Sequence, residues 1–117
     1  MTHRKLLAWR LAMELVEDVY RLTARFPESE RFGVTSQMRR AAVSIPSNIA
    51  EGSARGTKKE YARFLNISRG SLAELETLLT VSKQLGLSTE VAPLKQKARR
   101  LFPLLAGLSM RATSSER

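Results

Sequence analysis

The sequence predicts an all-α protein, an antiparallel up-down four-helix bundle. Three observations favour this class: apolar residues recur at three- and four-residue steps in four stretches, prolines and glycines separate those stretches, and no stretch alternates apolar and polar residues as a strand would. The 117 residues suffice for one domain. We therefore predict one bundle over residues 1–112 and a frayed tail over residues 113–117.

The first helix is predicted from Arg4 to Arg25, and Phe26-Pro27 ends it because the residue before a proline disfavours helical backbone. Its core-facing stripe consists of Ala8, Ala12, Leu15, Val16, Val19 and Leu22. Further apolar residues lie outside that stripe: Leu7, Trp9, Leu11, Met13 and Tyr20. A monomeric bundle needs only one apolar stripe on each helix, so this excess predicts an interface between subunits.

The second helix is predicted from Thr35 to Ala54, with Pro46 inside it and Gly52 and Gly56 at its end. Its apolar seam consists of Met38, Ala42, Ile45 and Ile49. Because proline removes one backbone donor, we expect a kink at position 46.

The third helix begins at the predicted capping box Thr57-x-x-Glu60 and ends at Leu85-Gly86. Its seam consists of Tyr61, Leu65, Ser68, Leu72, Leu75 and Leu79. Ser88 or Thr89 is the predicted cap of the fourth helix. The seam of that helix consists of Val91, Leu94, Ala98, Leu101, Leu105 and Leu108.

Composition excludes several classes of function. The chain has no cysteine and a single histidine, His3, so a disulfide framework, a thiolate zinc site and a His-rich metal site are excluded. It has no Glu-x-x-His motif and no glycine-rich loop that ends in Gly-Lys-Ser/Thr. No apolar run approaches the roughly 18 residues that span a bilayer. We expect a cytoplasmic, non-enzymatic protein without a cofactor, a metal or a membrane contact.

The net charge of +9 predicts a polyanionic partner, with nucleic acid the first candidate. Residues 37–69 hold seven basic residues against two acidic ones, a net charge of +5. The predicted phosphate contacts are Arg39, Arg40, Arg55, Lys58, Lys59 and Arg63. A cationic surface also keeps small domains apart in solution, and this simpler explanation stays open. A second basic group is interpreted as a solvated face of the fourth helix: Lys95, Lys97, Arg99 and Arg100.

A polar stripe also follows the second helix, with Gln37, Ser44, Asn48 and Glu51 at helical spacing beside the arginines. Serine and asparagine are weak helix formers, so we interpret these four residues as hydrogen-bonding groups that hold helices or subunits in register. The alternative, a solvated face with ion pairs inside one helix, stays open.

Aromatic side chains are scarce on the predicted surface. Core or interface positions are predicted for Trp9, Tyr20, Phe26, Tyr61, Phe64 and Phe102. Phe32 alone remains in a loop. The sequence therefore disfavours a protein that reads single strands by stacking bases on aromatic rings.

The segment from Phe26 to Gly52, which ends in Asn48-Ile49-Ala50-Glu51-Gly52, resembles the signature of bacterial four-helix-bundle proteins encoded by intervening sequences in large-subunit ribosomal RNA genes. The segments Leu6–Met13, Glu60–Leu65 and Gly70–Glu76 match as well, and the resemblance extends to about Leu108. Val34 stands where leucine is usual in that family.

The resemblance implies an antiparallel bundle that assembles as a homopentameric ring, as do the similar accessory proteins of diversity-generating retroelements. Those proteins are thought to bind nucleic acid and a reverse transcriptase through a basic surface. The first hypothesis is thus a homo-oligomeric nucleic-acid-binding protein, with RNA ranked slightly ahead of DNA as its ligand. The alternative is a protein-interaction adaptor, for example an accessory subunit for a reverse transcriptase or another acidic protein. A nuclease is the weakest hypothesis because the chain lacks a second histidine.

Overall fold

The computed structural model describes residues 2–114. Four long helices run through them, with a single 3-10 turn at Glu28–Glu30: α1 His3–Thr23, α2 Val34–Ala54, α3 Lys58–Gln84 and α4 Ala92–Ser114. Each helix packs against its predecessor, and α4 closes against α1. The described part of the chain is therefore an up-down four-helix bundle without strands, measuring 50 × 23 × 19 Å. The predicted all-α bundle is confirmed.

The predicted seams form the core. Met38, Ile45 and Ile49 of α2 are fully buried, as are the leucines of the α3 seam. Leu11 corrects the interpretation of α1, because it is only 4% exposed and belongs to the core. In the bundle α1 packs against both α2 and α4, so the arc of this helix that is buried is wider than one stripe.

The ends of α3 follow local sequence signals. The Thr57 hydroxyl accepts a hydrogen bond from the Glu60 amide at 3.1 Å, as the capping box predicts. The Glu60 carboxylate does not return the bond and instead accepts two hydrogen bonds from Arg63. At the other end Gly86 has φ +73°, a left-handed conformation that suits glycine, and the Leu87 amide donates to the Ser82 carbonyl at 2.9 Å. The predicted stop at Leu85-Gly86 is confirmed.

The start of α4 differs from the prediction. The helix begins at Ala92, and the Ser88 hydroxyl caps a turn instead, accepting a hydrogen bond from the Glu90 amide at 3.0 Å. α4 then continues through Pro103 to Ser114, so the first two residues of the predicted tail are helical. The rest of the tail, residues 115–117, lies outside the described residues.

Lys97 is not part of a solvated face. Its ammonium lies 2.7 Å from the Asp18 carboxylate and 3.3 Å from that of Glu14, and the Lys97 and Asp18 side chains are each 23% exposed. The hydrogen bond to Asp18 raises the pKa of Lys97 above its usual value. The ion pairs of Lys97 thus join α4 to α1, so the interpretation as a solvated face is wrong for this residue.

α2 and α3 pack closely against each other at Gly52. A Cβ atom on Gly52 would lie 2.7 Å from Cβ of Phe64 and 3.3 Å from the ring of Tyr61. The two helices are also joined by a buried hydrogen bond, donated by the Ser68 hydroxyl to the Ile45 carbonyl at 2.9 Å. Gly52 lies in the last turn of α2, which ends at Ala54 between Gly52 and Gly56 as predicted, and it also allows this close approach.

Candidate nucleic-acid interface

One end of the bundle collects basic residues from all four helices. The first turns of α1 and α3 meet the last turns of α2 and α4 there, because the helices are antiparallel. We call this surface the cationic end; its basic residues are Arg4, Lys5, Arg55, Lys58, Lys59, Arg63 and Arg111. Among residues 2–114, Glu51 and Glu60 oppose them, which leaves a net charge of +5 for the described part of this surface. Arg4, Lys5 and Arg111 were missed in the sequence because they are far from the central segment along the chain.

Two arginines of the cationic end are held over an aromatic ring. The Arg63 and Arg55 guanidiniums lie 4.5 and 5.0 Å from the ring centroid of Phe64. Each also pairs with a carboxylate one helical turn away, Arg55 with Glu51 at 3.0 Å and Arg63 with Glu60 at 2.9 Å. The hydrogen bond from Arg63 lowers the pKa of Glu60. These contacts orient the guanidiniums while leaving both arginines exposed to solvent.

Lys58 and Lys59 form the first turn of α3, where both side chains are exposed. The unpaired amides at a helix start and the helix dipole favour negative charge at this position. Within residues 2–114, Lys59 forms no ion pair. The arrangement can bind an anion through both the lysine side chains and the helix end.

A cavity of about 490 Å³ opens at the cationic end between α1, α3 and α4. Its lining combines cations with the apolar surfaces of Leu108 and Ala112 and the ring of Tyr61. The Tyr61 hydroxyl is buried without a hydrogen-bond partner in the described part of the chain, and burial raises the pKa of this group. Lys5 lies 5.3 Å from the centroid of the same ring. The cavity therefore places apolar surface and an aromatic ring beside positive charge.

The six predicted phosphate contacts do not form one cluster. Arg55, Lys58, Lys59 and Arg63 lie at the cationic end, whereas Arg40 lies 15 residues before Arg55, about 22 Å along α2. Arg40 is exposed and forms no ion pair within residues 2–114.

Arg39 faces α1 rather than the other predicted contacts. It is half-buried, donates a hydrogen bond to the Thr23 hydroxyl at 2.9 Å, and its guanidinium lies 4.5 Å from the ring centroid of Tyr20. These contacts hold Arg39 against α1, so it has less freedom to reach a phosphate than Arg40.

The polar stripe of α2 lies beside α3. The Ser44 and Ser71 hydroxyls form a hydrogen bond of 2.8 Å between the two helices, and the Asn48 amide donates to the carbonyl and hydroxyl of Ser44. Glu51 pairs with Arg55, the residue that follows α2, and Gln37 is exposed near the start of the helix. The stripe thus includes one hydrogen bond between helices and one ion pair at the end of α2.

Fold and site together define a small, basic four-helix bundle whose described residues contain no group of three or more side chains placed to hold a metal ion. The chain belongs to the 23S rRNA-intervening sequence protein family, whose model matches residues 4–107. This confirms the resemblance found in the motifs. Within residues 2–114 no helix has the length and apolarity needed to cross a membrane.

A solved structure has the same fold. It is a protein with unknown function from the S23 ribosomal protein family of Bacteroides thetaiotaomicron VPI-5482, with a TM-score of 0.83 and 17% identity. The match covers 92% of this chain and 98% of that chain. No curated protein matches this sequence.

Proposed function

We propose that this protein is a non-enzymatic, cytoplasmic nucleic-acid-binding bundle that contacts phosphates through its cationic end. The observation that carries the proposal is the convergence of seven basic residues from four helix ends. Within residues 2–114 two carboxylates oppose them, and each pairs with an arginine. Phosphate binding requires positive charge and little base recognition, which such a surface supplies. RNA is the preferred ligand because the family takes its name from ribosomal RNA sequences.

The spacing of the basic residues suits a polynucleotide better than a single phosphate. Arg40 and the cationic end are about 22 Å apart along α2. Phosphates on one strand of a duplex are about 3.4 Å apart along its axis, so this distance corresponds to about six of them. A strand that lies along α2 would contact both groups.

A salt series tests the proposal. Four to seven phosphate contacts predict that log Kd for a short RNA changes linearly with log salt, with a slope of magnitude about 3 to 6. Fluorescence anisotropy between 0.05 and 0.3 M salt, roughly the range where such slopes are resolved, measures it. Denaturing gels of the same samples with Mg²⁺ should show intact RNA. Binding that ignores salt would refute phosphate contact, and cleaved RNA would refute the non-enzymatic assignment.

We also propose that the protein is a homo-oligomer, with the pentameric ring that the family resemblance implies. Apolar side chains remain outside the core: Leu7 and Met13 are each 39% exposed and Val43 is 41% exposed. On α1, Trp9, Met13 and Val16 recur at steps of four and three residues, a spacing that lines one edge of a helix. This edge is the proposed contact between copies.

Light scattering at micromolar concentration should give about five times the subunit mass of 13.1 kDa. Met13→Glu should shift the mass toward the monomer because it places a charge in the proposed contact. Ala73→Glu, which places the same charge at an exposed position of α3, is the matched control and should leave the mass unchanged. A monomeric native protein would refute the oligomer.

The adaptor remains the alternative function, and one observation favours it. Met110 of α4 is 70% exposed near the cationic end, and an apolar side chain beside positive charge is typical of a protein interface. An acidic protein such as a reverse transcriptase would then occupy the surface assigned to RNA, and it would compete with RNA in the same anisotropy assay.

A further inference from the structure

A groove of about 590 Å³ lies at the opposite end of the bundle, where α1 meets the start of α2. We call it the aromatic groove; its lining residues include Tyr20, Phe32, Thr35, Arg39, Arg40 and Val43. Tyr20 is 42% exposed and Phe32 is 88% exposed, so two rings from separate elements line one groove. Tyr20, for which a core or interface position was predicted, thus lies outside the core.

The groove is positively charged. Arg39 lies over the ring of Tyr20 at 4.5 Å, Arg31 lies 5.2 Å from the ring centroid of Phe32, and Arg40 is exposed. No carboxylate lines the groove, although Arg31 pairs with Glu28 at 3.3 Å. Guanidinium groups beside aromatic rings suit a ligand that is both planar and anionic.

Thr35 gives independent evidence that the groove accepts a polar ligand. Its side chain lines the groove, the residue is only 8% exposed, and its hydroxyl is buried without a hydrogen-bond partner in the described part of the chain. Buried hydroxyls in folded proteins are almost always hydrogen-bonded, so an exception needs an explanation. A shift of the side chains around Thr35 would let a ligand atom in the groove provide the missing partner.

We propose that the aromatic groove binds one unpaired nucleotide of an RNA strand, with the base against Phe32 and Tyr20 and the phosphate at Arg40. This inference rests on the proposed function, because it assumes that the strand also contacts the cationic end. The volume is within the range of small-ligand pockets. Among the described residues, three arginines and no carboxylate line the groove, which favours an anionic strand over a second copy of this basic chain.

The test compares single-stranded RNA with a fully paired RNA duplex of the same length in anisotropy titrations. Phe32→Leu should weaken single-strand binding by roughly 5- to 150-fold, the usual effect of losing one stacked base, and should leave duplex binding unchanged. Phe32 is 88% exposed, so the substitution does not threaten the fold. Leu85→Ala, at a side chain 59% exposed outside the groove, is the matched control and should change neither affinity.

Thr35→Val provides a second variant that removes only the hydroxyl. It should keep or raise the melting temperature, because it removes an unpaired buried group, and still weaken single-strand binding several-fold. A Phe32 variant that binds both RNAs as the native protein does would overturn the groove but leave the proposed function intact. Native protein that binds neither RNA would overturn both. A lower oligomer mass in the Phe32 variant, with RNA binding unchanged, would assign the groove to a second copy.

Discussion

Reversing the charges of Lys58, Lys59 and Arg63 together to glutamate is expected to weaken RNA binding about 500-fold at 0.1 M salt. For each phosphate contact on a duplex, log K falls by about 0.9 when the salt concentration rises tenfold. Three contacts therefore account for nearly three decades of the affinity gained between about 1 M and 0.1 M salt. The loss should be similar for every sequence tested, because contacts to phosphates do not read bases. Anisotropy titrations of the native and variant proteins across the salt series measure the loss and the smaller slope.

The matched control reverses three cations elsewhere: Lys83, Lys95 and Arg100. They lie on α3 and α4 away from the cationic end, and none forms an ion pair within residues 2–114. Lys97 is unsuitable because its substitution would break the pair with Asp18. The control changes net charge by the same amount, so equal losses in both triple variants would show that overall charge, not the cationic end, binds RNA.

Gly52→Val is expected to lower the free energy of unfolding by about 3 kcal/mol. A Cβ atom at this position would lie 2.7 Å from Cβ of Phe64, and neither atom is the end of a flexible side chain. α2 and α3 must separate to admit valine, which disturbs the core over several turns. The gain in helix propensity over glycine, a few tenths of a kcal/mol, offsets little of this loss.

Gly70→Val is the matched control, because Gly70 lies within α3 and a Cβ atom there meets nothing within 4 Å. It should change the free energy of unfolding by less than about 0.5 kcal/mol. Urea unfolding of both variants and the native protein at one concentration gives the comparison, since association would make stability depend on concentration. Equal destabilisation by the two substitutions would show that the close packing of α2 and α3 does not explain the glycine at position 52.

The sequence by itself determined the four helices and most of the core. Helical periodicity is a local property, so Met38, Ile45 and Leu72 could be assigned to buried seams without knowledge of their neighbours. The end of α3 at Gly86 was equally predictable. A glycine that adopts left-handed backbone after a helix is a local signal, contained within a few residues of the chain. Lys58, Lys59 and Arg63 could be grouped for the same reason, since they are close in sequence.

The tertiary structure decided which helices share a surface. Arg4 and Arg111 lie at opposite ends of the chain and reach the same cavity only because α1 and α4 pack side by side in opposite directions. The same packing buries Leu11 and pairs Lys97 with Asp18. Tyr20 and Phe32 share a groove because α2 turns back along α1. Periodicity assigns a residue to one face of its own helix, but the partner of that face depends on packing between segments distant in sequence.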